Sequence, residues 1–99
     1  MKTNNMIDVS IVIVCMNNLK NLYPCLNSIR KYTSVSYETL VVTYLFSKEN
    51  LEKVRRDFPW VIFIESNEIR GFSENNNLAL KRAKGEYCFV LNDDTYRGI

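Results

Sequence analysis

The sequence predicts an α/β fold: three layers, α/β/α, around a mostly parallel, four-stranded sheet. Three observations carry this. Strand-type and helix-type segments alternate along the whole chain. The run Val9 to Cys15 (VSIVIVC) is almost continuously β-branched, as in a strand covered on both faces of a parallel sheet. The helical segments between strands are long enough to cross over the sheet, and such crossovers are right-handed.

Each element has a local cause. After the first strand, Asn17 and Asn18 break the pattern, and Leu22, Leu26 and Ile29 then recur at helical spacing up to about Tyr32. Pro24 is tolerated in a first turn, which sets the regular helix to start near Leu22 or Tyr23. Tyr37 to Thr43 (YETLVVT) is the second strand. Ser47 is an N-cap for a helix from Lys48 to about Asp57, with Leu51, Val54 and Phe58 inward and Pro59 ending it. Val61 to Glu65 (VIFIE) is the third strand. Ser73 caps a third helix that runs to Lys84, with Leu78, Leu80 and Ala83 apolar and Gly85 at its C′ position. Glu86 to Leu91 (EYCFVL) is the fourth strand.

The chain has 99 residues, enough for one small core, and 46% of them are hydrophobic, which excludes a disordered chain. Its formal charge of +2 comes from interspersed residues and gives no case for a nucleic-acid partner. Histidine is absent, so chemistry here falls to carboxylates, hydroxyls, thiols, backbone or a metal held by oxygen. Cys15, Cys25 and Cys88 lie far apart among apolar neighbours, and read as small buried hydrophobes, not as a disulfide framework or zinc site. No apolar run reaches the ~18–20 residues of a membrane-spanning helix, and Met1 to Asp8 lacks the apolar region of a signal peptide. A cytoplasmic setting is expected.

In a parallel sheet ligands bind beyond the carboxyl ends of the strands. Those ends are Cys15 to Asn18, Thr43 to Ser47, Ser66 to Ser73 and Asn92 to Thr95. Asn92-Asp93-Asp94-Thr95 puts paired acids at the end of a hydrophobic strand. It reads either as a solvated turn or as hard oxygen ligands for Mg²⁺ or Mn²⁺ bridging to phosphate. Arg70-Gly71-Phe72-Ser73 puts a guanidinium just ahead of a helix N-terminus, which favours an anion, although a surface arginine beside a turn glycine has the same pattern. Asn75, Asn76 and Asn77 are poor helix formers whose amides serve either capping or bonds across the crevice. The glycine-rich dinucleotide and P-loop signatures are both missing.

These segments together resemble the N-terminal half of the family 2 glycosyltransferases, which have the GT-A fold, a Rossmann-like sheet. The likeness runs from about Val9 to Thr95. Val9 to Val14 with Asn17-Asn18 is similar to the family's opening strand and its T-Y-N-N end. Arg70-Gly71-Phe72-Ser73 with Asn76-Asn77 resembles the R-G-F-S-x-A-N-N stretch of rhamnosyltransferase-like members. Lys84-Gly85-Glu86-Tyr87 through Asn92-Asp93-Asp94-Thr95 resembles the K-G-E-Y strand leading into the D-x-D-type motif.

The resemblance implies a nucleotide-diphosphate sugar donor, a divalent metal (Mg²⁺ or Mn²⁺) and inverting sugar transfer in surface polysaccharide synthesis. It implies that Asn17 and the backbone near Cys15 border the nucleoside, and that Arg70 lies by the base or the diphosphate. It sets Asn92 near the ribose, Asp93 at the motif's variable middle position and Asp94 on the metal. Thr43 stands where the family usually has an aspartate that reads the base, Cys15-Met16 replaces Thr-Tyr, and Ala79 replaces a glycine. The family's catalytic base and its site for a saccharide or lipid-linked acceptor lie well downstream of the D-x-D motif. Residues 1–99 are therefore expected to be a partial domain, the donor-nucleotide half, with no catalytic residue assigned. That half alone is expected to bind nucleotide weakly at most and to transfer no sugar. In a longer protein the expected location is the cytoplasm or the inner face of the membrane. An open sheet edge implies self-association. Two other readings stand beside this one: a non-catalytic α/β remnant, and a small flavodoxin- or receiver-like binding module.

Overall fold

In the computed structural model, residues 7–92 are described. They form, in chain order, β1 (Ile7–Cys15), α1 (Leu19–Tyr32), β2 (Tyr37–Tyr44), α2 (Lys48–Asp57), β3 (Ile62–Ser66), α3 (Phe72–Leu80) and β4 (Gly85–Asn92). The sheet order is β3-β2-β1-β4. Each neighbouring pair is parallel, with Cys15 level with Thr43, Tyr44 with Ser66, and Val14 with Asn92. The expected three-layer, parallel α/β architecture is the one observed.

The alternation of side chains along each strand divides the core in two. Ile11, Ile13 and Cys15 of β1 pack with Val41 against Leu22, Cys25, Leu26 and Ile29 of α1 and Val54 of α2. On the opposite face Val12, Leu40, Val42 and Ile64 meet Ala79 and Leu78 of α3. Both faces of β1 are therefore covered, which is why its sequence is apolar without a polar alternation.

Helix boundaries differ from the sequence expectation in three places. α1 begins at Leu19, not near Leu22, because the Asn18 side chain accepts the Asn21 N–H and caps the extra turn. Pro24 then lies inside the helix; the carbonyl it leaves without a helical donor belongs to exposed Lys20, where water can replace the bond. α3 is capped at Gly71, not Ser73: the Glu74 carboxylate reaches back to accept the Gly71 N–H at 3.0 Å. It ends at Leu80, where Arg82 and Ala83 donate to Ala79 and Leu80 in tighter turns, and Leu80 is exposed.

Gly85 is not a helix C′ residue but the first residue of β4, where no side chain fits. A Cβ there would lie 2.6 Å from Ser10 Oγ and 2.7 Å from the Val9 carbonyl carbon. The Gly85 N–H donates to Ser10 Oγ at 2.7 Å, and Ser10 in turn donates to the buried Glu38 carboxylate at 2.6 Å. Glu38 also accepts the Lys84 N–H, so one carboxylate pins the start of β4 to β1 and β2. Cys15 and Cys25 are buried as expected, whereas Cys88 is exposed. β4 is an edge strand, and Tyr87, Phe89 and Val90 are exposed beside that cysteine.

Candidate functional site

The chain passes from β1 outward to β2 and β3 and then returns to the other side of β1 as β4. The reversal falls between β1 and β4, so the crevice of the sheet lies at the carboxyl ends of these two strands. Asn92 closes β4 in register with Val14; Asp93 and Asp94, the expected metal-side acids, lie outside the described residues.

After β1, Asn17 turns the chain through the left-handed region at φ 51°, a conformation that asparagine tolerates better than most residues. Its Oδ1 accepts the Ser47 backbone N–H and the Asn50 Nδ2–H, both at 3.0 Å. The two asparagines thus divide the work: Asn18 caps α1, and Asn17 ties the β1 loop to the start of α2. Ser47 caps α2 through the Asn50 N–H, as its sequence position predicts. Leu45, at φ 52°, turns the chain after β2, and its N–H donates to the Ser66 carbonyl at the end of β3.

Cys15 and Thr43 are closed to solvent. The Cys15 thiol donates to the Asn18 carbonyl at 3.4 Å, and Thr43 Oγ1 donates to the Ile64 carbonyl at 3.3 Å. Both residues are buried whole, backbone included, so neither presents a group to the crevice, contrary to the sequence expectation for Cys15 and Thr43.

Arg70 is held at three points. Its Nη1 donates to Ser66 Oγ at 3.0 Å, its backbone N–H donates to the Tyr44 hydroxyl at 3.0 Å, and its Nη2 lies 3.7 Å from the exposed Glu68 carboxylate. Ser66 Oγ passes the chain on, donating to Asn75 Oδ1 at 2.6 Å inside the protein. This answers what the asparagine triplet does. Asn75 bonds across to β3, Asn76 is buried with an Oδ1 that lacks a partner, and Asn77 is exposed. The result is a guanidinium tied to Ser66 just ahead of α3, whose first turn also carries the Glu74 carboxylate on the Gly71 N–H.

Tyr44 and Ser66 are the site residues that the sequence reading missed. The available signal was positional, since both are the last residues of their strands. Among the described residues no group of three His, Cys, Asp or Glu side chains could hold a metal ion. The acid pair that the sequence suggests as hard ligands, Asp93-Asp94, follows β4 in the chain.

The family model for Glycosyl transferase family 2 matches residues 10–96, from Ser10 in β1 through both acids. The chain belongs to glycosyl transferase family 2. No curated protein sequence matches it. Among solved structures, this family 2 chain is similar to the mannosyltransferase PcManGT of Pyrobaculum calidifontis, in complex with GDP-Man and Mn²⁺: TM-score 0.77, 22% identity, over 92% of this chain and 28% of that one. It is also similar to S. aureus TarS 1-349, at TM-score 0.73 and 24% identity over 91% of this chain and 28% of that one. TarS in complex with UDP gives TM-score 0.70 and 22% identity, over 92% of this chain and 29% of that one. The chain thus spans less than a third of these structures, and the likeness is one of fold.

Proposed function

We propose that residues 1–99 are the donor-nucleotide portion of a glycosyltransferase that uses a nucleotide-diphosphate sugar. The observation that supports this best is Arg70, whose guanidinium bonds to Ser66 and whose backbone N–H bonds to Tyr44 at the carboxyl rim of the sheet. A rigid cation beside a helix N-terminus suits a diphosphate, because the charges need no reorganisation when the ligand arrives. The matched relatives PcManGT and TarS carry GDP-Man and UDP in their complexes, which supports the same ligand class.

Asp94, with Asp93 beside it, fits a divalent cation by donor chemistry: adjacent carboxylates after a strand end are hard oxygen ligands for Mg²⁺ or Mn²⁺. Bound there, the cation would neutralise charge on the leaving diphosphate. In this reading the Asn17 turn after Cys15 borders the nucleoside, and Asn92 lies toward the ribose. In the same reading the acceptor site and the catalytic base lie in the rest of a longer protein, in the cytoplasm or at the inner face of the membrane, that acts in surface polysaccharide synthesis by inverting transfer.

Calorimetry of the full chain with Mn²⁺ and UDP-, GDP- and dTDP-linked sugars tests this. The expected result is weak, metal-dependent binding of at least one of them, reduced roughly tenfold or more by Arg70→Ala and by Asp94→Ala. Unchanged nucleotide and metal affinity in both variants would sink the proposal.

A further inference from the structure

β4 leads the chain to its acid pair, yet little of its own surface fixes where it lies along β1. Among the described residues it is an edge strand, paired on one side. Tyr87, Cys88, Phe89 and Val90 are exposed, and Leu91 is its one partly buried apolar side chain. Register is strongly specified where a strand face is buried and weakly where both faces are open. The partner strand adds little selection, because from Ile11 to Val14 it presents only isoleucine and valine. A slide of β4 by two residues would keep each side chain on its own face.

The amino end of β4 supplies the selection that burial does not. Ser10 interrupts the apolar run of β1, is completely buried, and stands level with Glu38 on β2 and Cys88 on β4. Its hydroxyl donates to Glu38 Oε2 at 2.6 Å and accepts the Gly85 N–H at 2.7 Å, and the same Oε2 accepts the Lys84 N–H. Space selects the same residue, since a Cβ on Gly85 would lie 2.6 Å from Ser10 Oγ. Ala83 and Tyr87, which a two-residue slide would bring to that place, both carry side chains. One glycine and two N–H groups seated on Ser10 and Glu38 therefore select one register, with Val12 level with Val90 and Val14 with Asn92.

We infer that Ser10 and Glu38 are positioning residues for the donor site: from the amino end of the sheet they set the height at which β4 delivers Asn92 and the acids that follow it in sequence. The inference rests on the reading of Asp94 as a metal ligand. A two-residue slide moves a strand about 6–7 Å along its axis, at ~3.3 Å per residue. Metal–ligand distances tolerate only about 0.2 Å, so a strand with two registers does not hold one site. Glu38 opens β2 and Tyr44 closes it, about 20 Å further along. The carboxylate therefore acts through β4 and touches no ligand.

The full chain is compared with Ser10→Ala, Glu38→Leu and Glu38→Gln, whose amide oxygen can still accept both bonds. Cross-strand NOEs between β1 and β4 and amide hydrogen exchange read the register, and calorimetry with Mn²⁺ and UDP or GDP reads the site. In Ser10→Ala and Glu38→Leu the β4 amides are expected to exchange roughly tenfold faster or more, while β1, β2 and β3 stay protected. Nucleotide affinity falls about fivefold or more in the same two variants, and Glu38→Gln stays within about twofold of wild type. Exchange that accelerates evenly through the sheet, with the affinity of the folded protein unchanged, marks a merely structural role and overturns the proposal. Wild-type NOEs and affinity in Ser10→Ala, the smaller change should Glu38→Leu fail to fold, overturn it too. A wild-type chain that binds neither nucleotide sinks the donor-site reading and the positioning role with it, and the exchange data separate that failure from a failed register lock.

Discussion

Asn17 Oδ1 accepts the backbone N–H of Ser47 at 3.0 Å, across thirty residues of sequence. The same oxygen accepts from the Asn50 side chain, so one amide fixes the loop after β1 to the first turn of α2. Its left-handed backbone makes the reach possible. Asn17→Ala loses both bonds and adds strain at a positive φ, with an expected cost of about 1–2 kcal/mol. Asn17→Asp keeps the acceptor and places a negative charge at a helix N-terminus, so it is expected to stay close to wild type. Urea denaturation of the three proteins checks the order.

Ser66 is the hinge of the chain from Arg70 to Asn75. Ser66→Ala strands the buried Asn75 amide oxygen, and a loss of about 1–3 kcal/mol is expected. It also frees the guanidinium, so any nucleotide affinity of the chain falls several-fold. If Ser66→Ala unfolds at wild-type denaturant concentration, the relay contributes nothing to stability.

Gly85 has no room for a side chain, since an added Cβ would crowd the Ser10 backbone nitrogen, Ser10 Oγ and the Val9 carbonyl carbon. Gly85→Ala is expected to cost more than about 2 kcal/mol. Adding Ser10→Gly does not restore stability, because the backbone contacts remain. Recovery in the double variant, measured by thermal melting, would show that the hydroxyl alone is the obstacle.

The contact between α1 and α2 depends on pH. The Tyr23 hydroxyl donates to Asp57 Oδ2, and Lys53 Nζ donates to the same oxygen at 3.1 Å. The bond from Tyr23, then that from Lys53, holds the Asp57 carboxyl below its ordinary value of 3.8. A depressed carboxyl contributes stability above its unfolded pKa and loses it as pH falls through the folded one. Partial desolvation, then the bond to Asp57, raises Tyr23 above 10.0, and bonds to Asp57 and Tyr23 raise Lys53 above 10.5. Raised groups lose their contribution as pH rises through the folded value. A stability plateau between about pH 5 and pH 9 is therefore expected, with Asp57→Asn flattening the acid limb. All three groups are largely solvated, so the effect is small. Denaturation midpoints from pH 3 to pH 11 check it.

Much of the fold was legible in the residues themselves. The β-branched run of β1, the Leu22-Leu26-Ile29 stripe and the Ser47 cap are local signals, and each acts over a few neighbours. The order β3-β2-β1-β4 could not be read that way, since it depends on which strand the last crossover returns to. Cys88 shows the consequence: its apolar neighbours predict burial, yet an edge strand leaves it exposed.

The candidate site divides along the same line. The sequence by itself determined the strand ends, the arginine ahead of α3 and the paired acids after β4, because polar residues that interrupt apolar runs mark those ends locally. Only the tertiary structure decided that Asn17 bonds to Ser47, that Arg70 is locked by Ser66 and Tyr44, and that Thr43 spends its hydroxyl on Ile64. The physical reason is reach. A hydrogen bond acts over about 3 Å of space, with no regard to distance along the chain, and only the assembled sheet brings those donors and acceptors together.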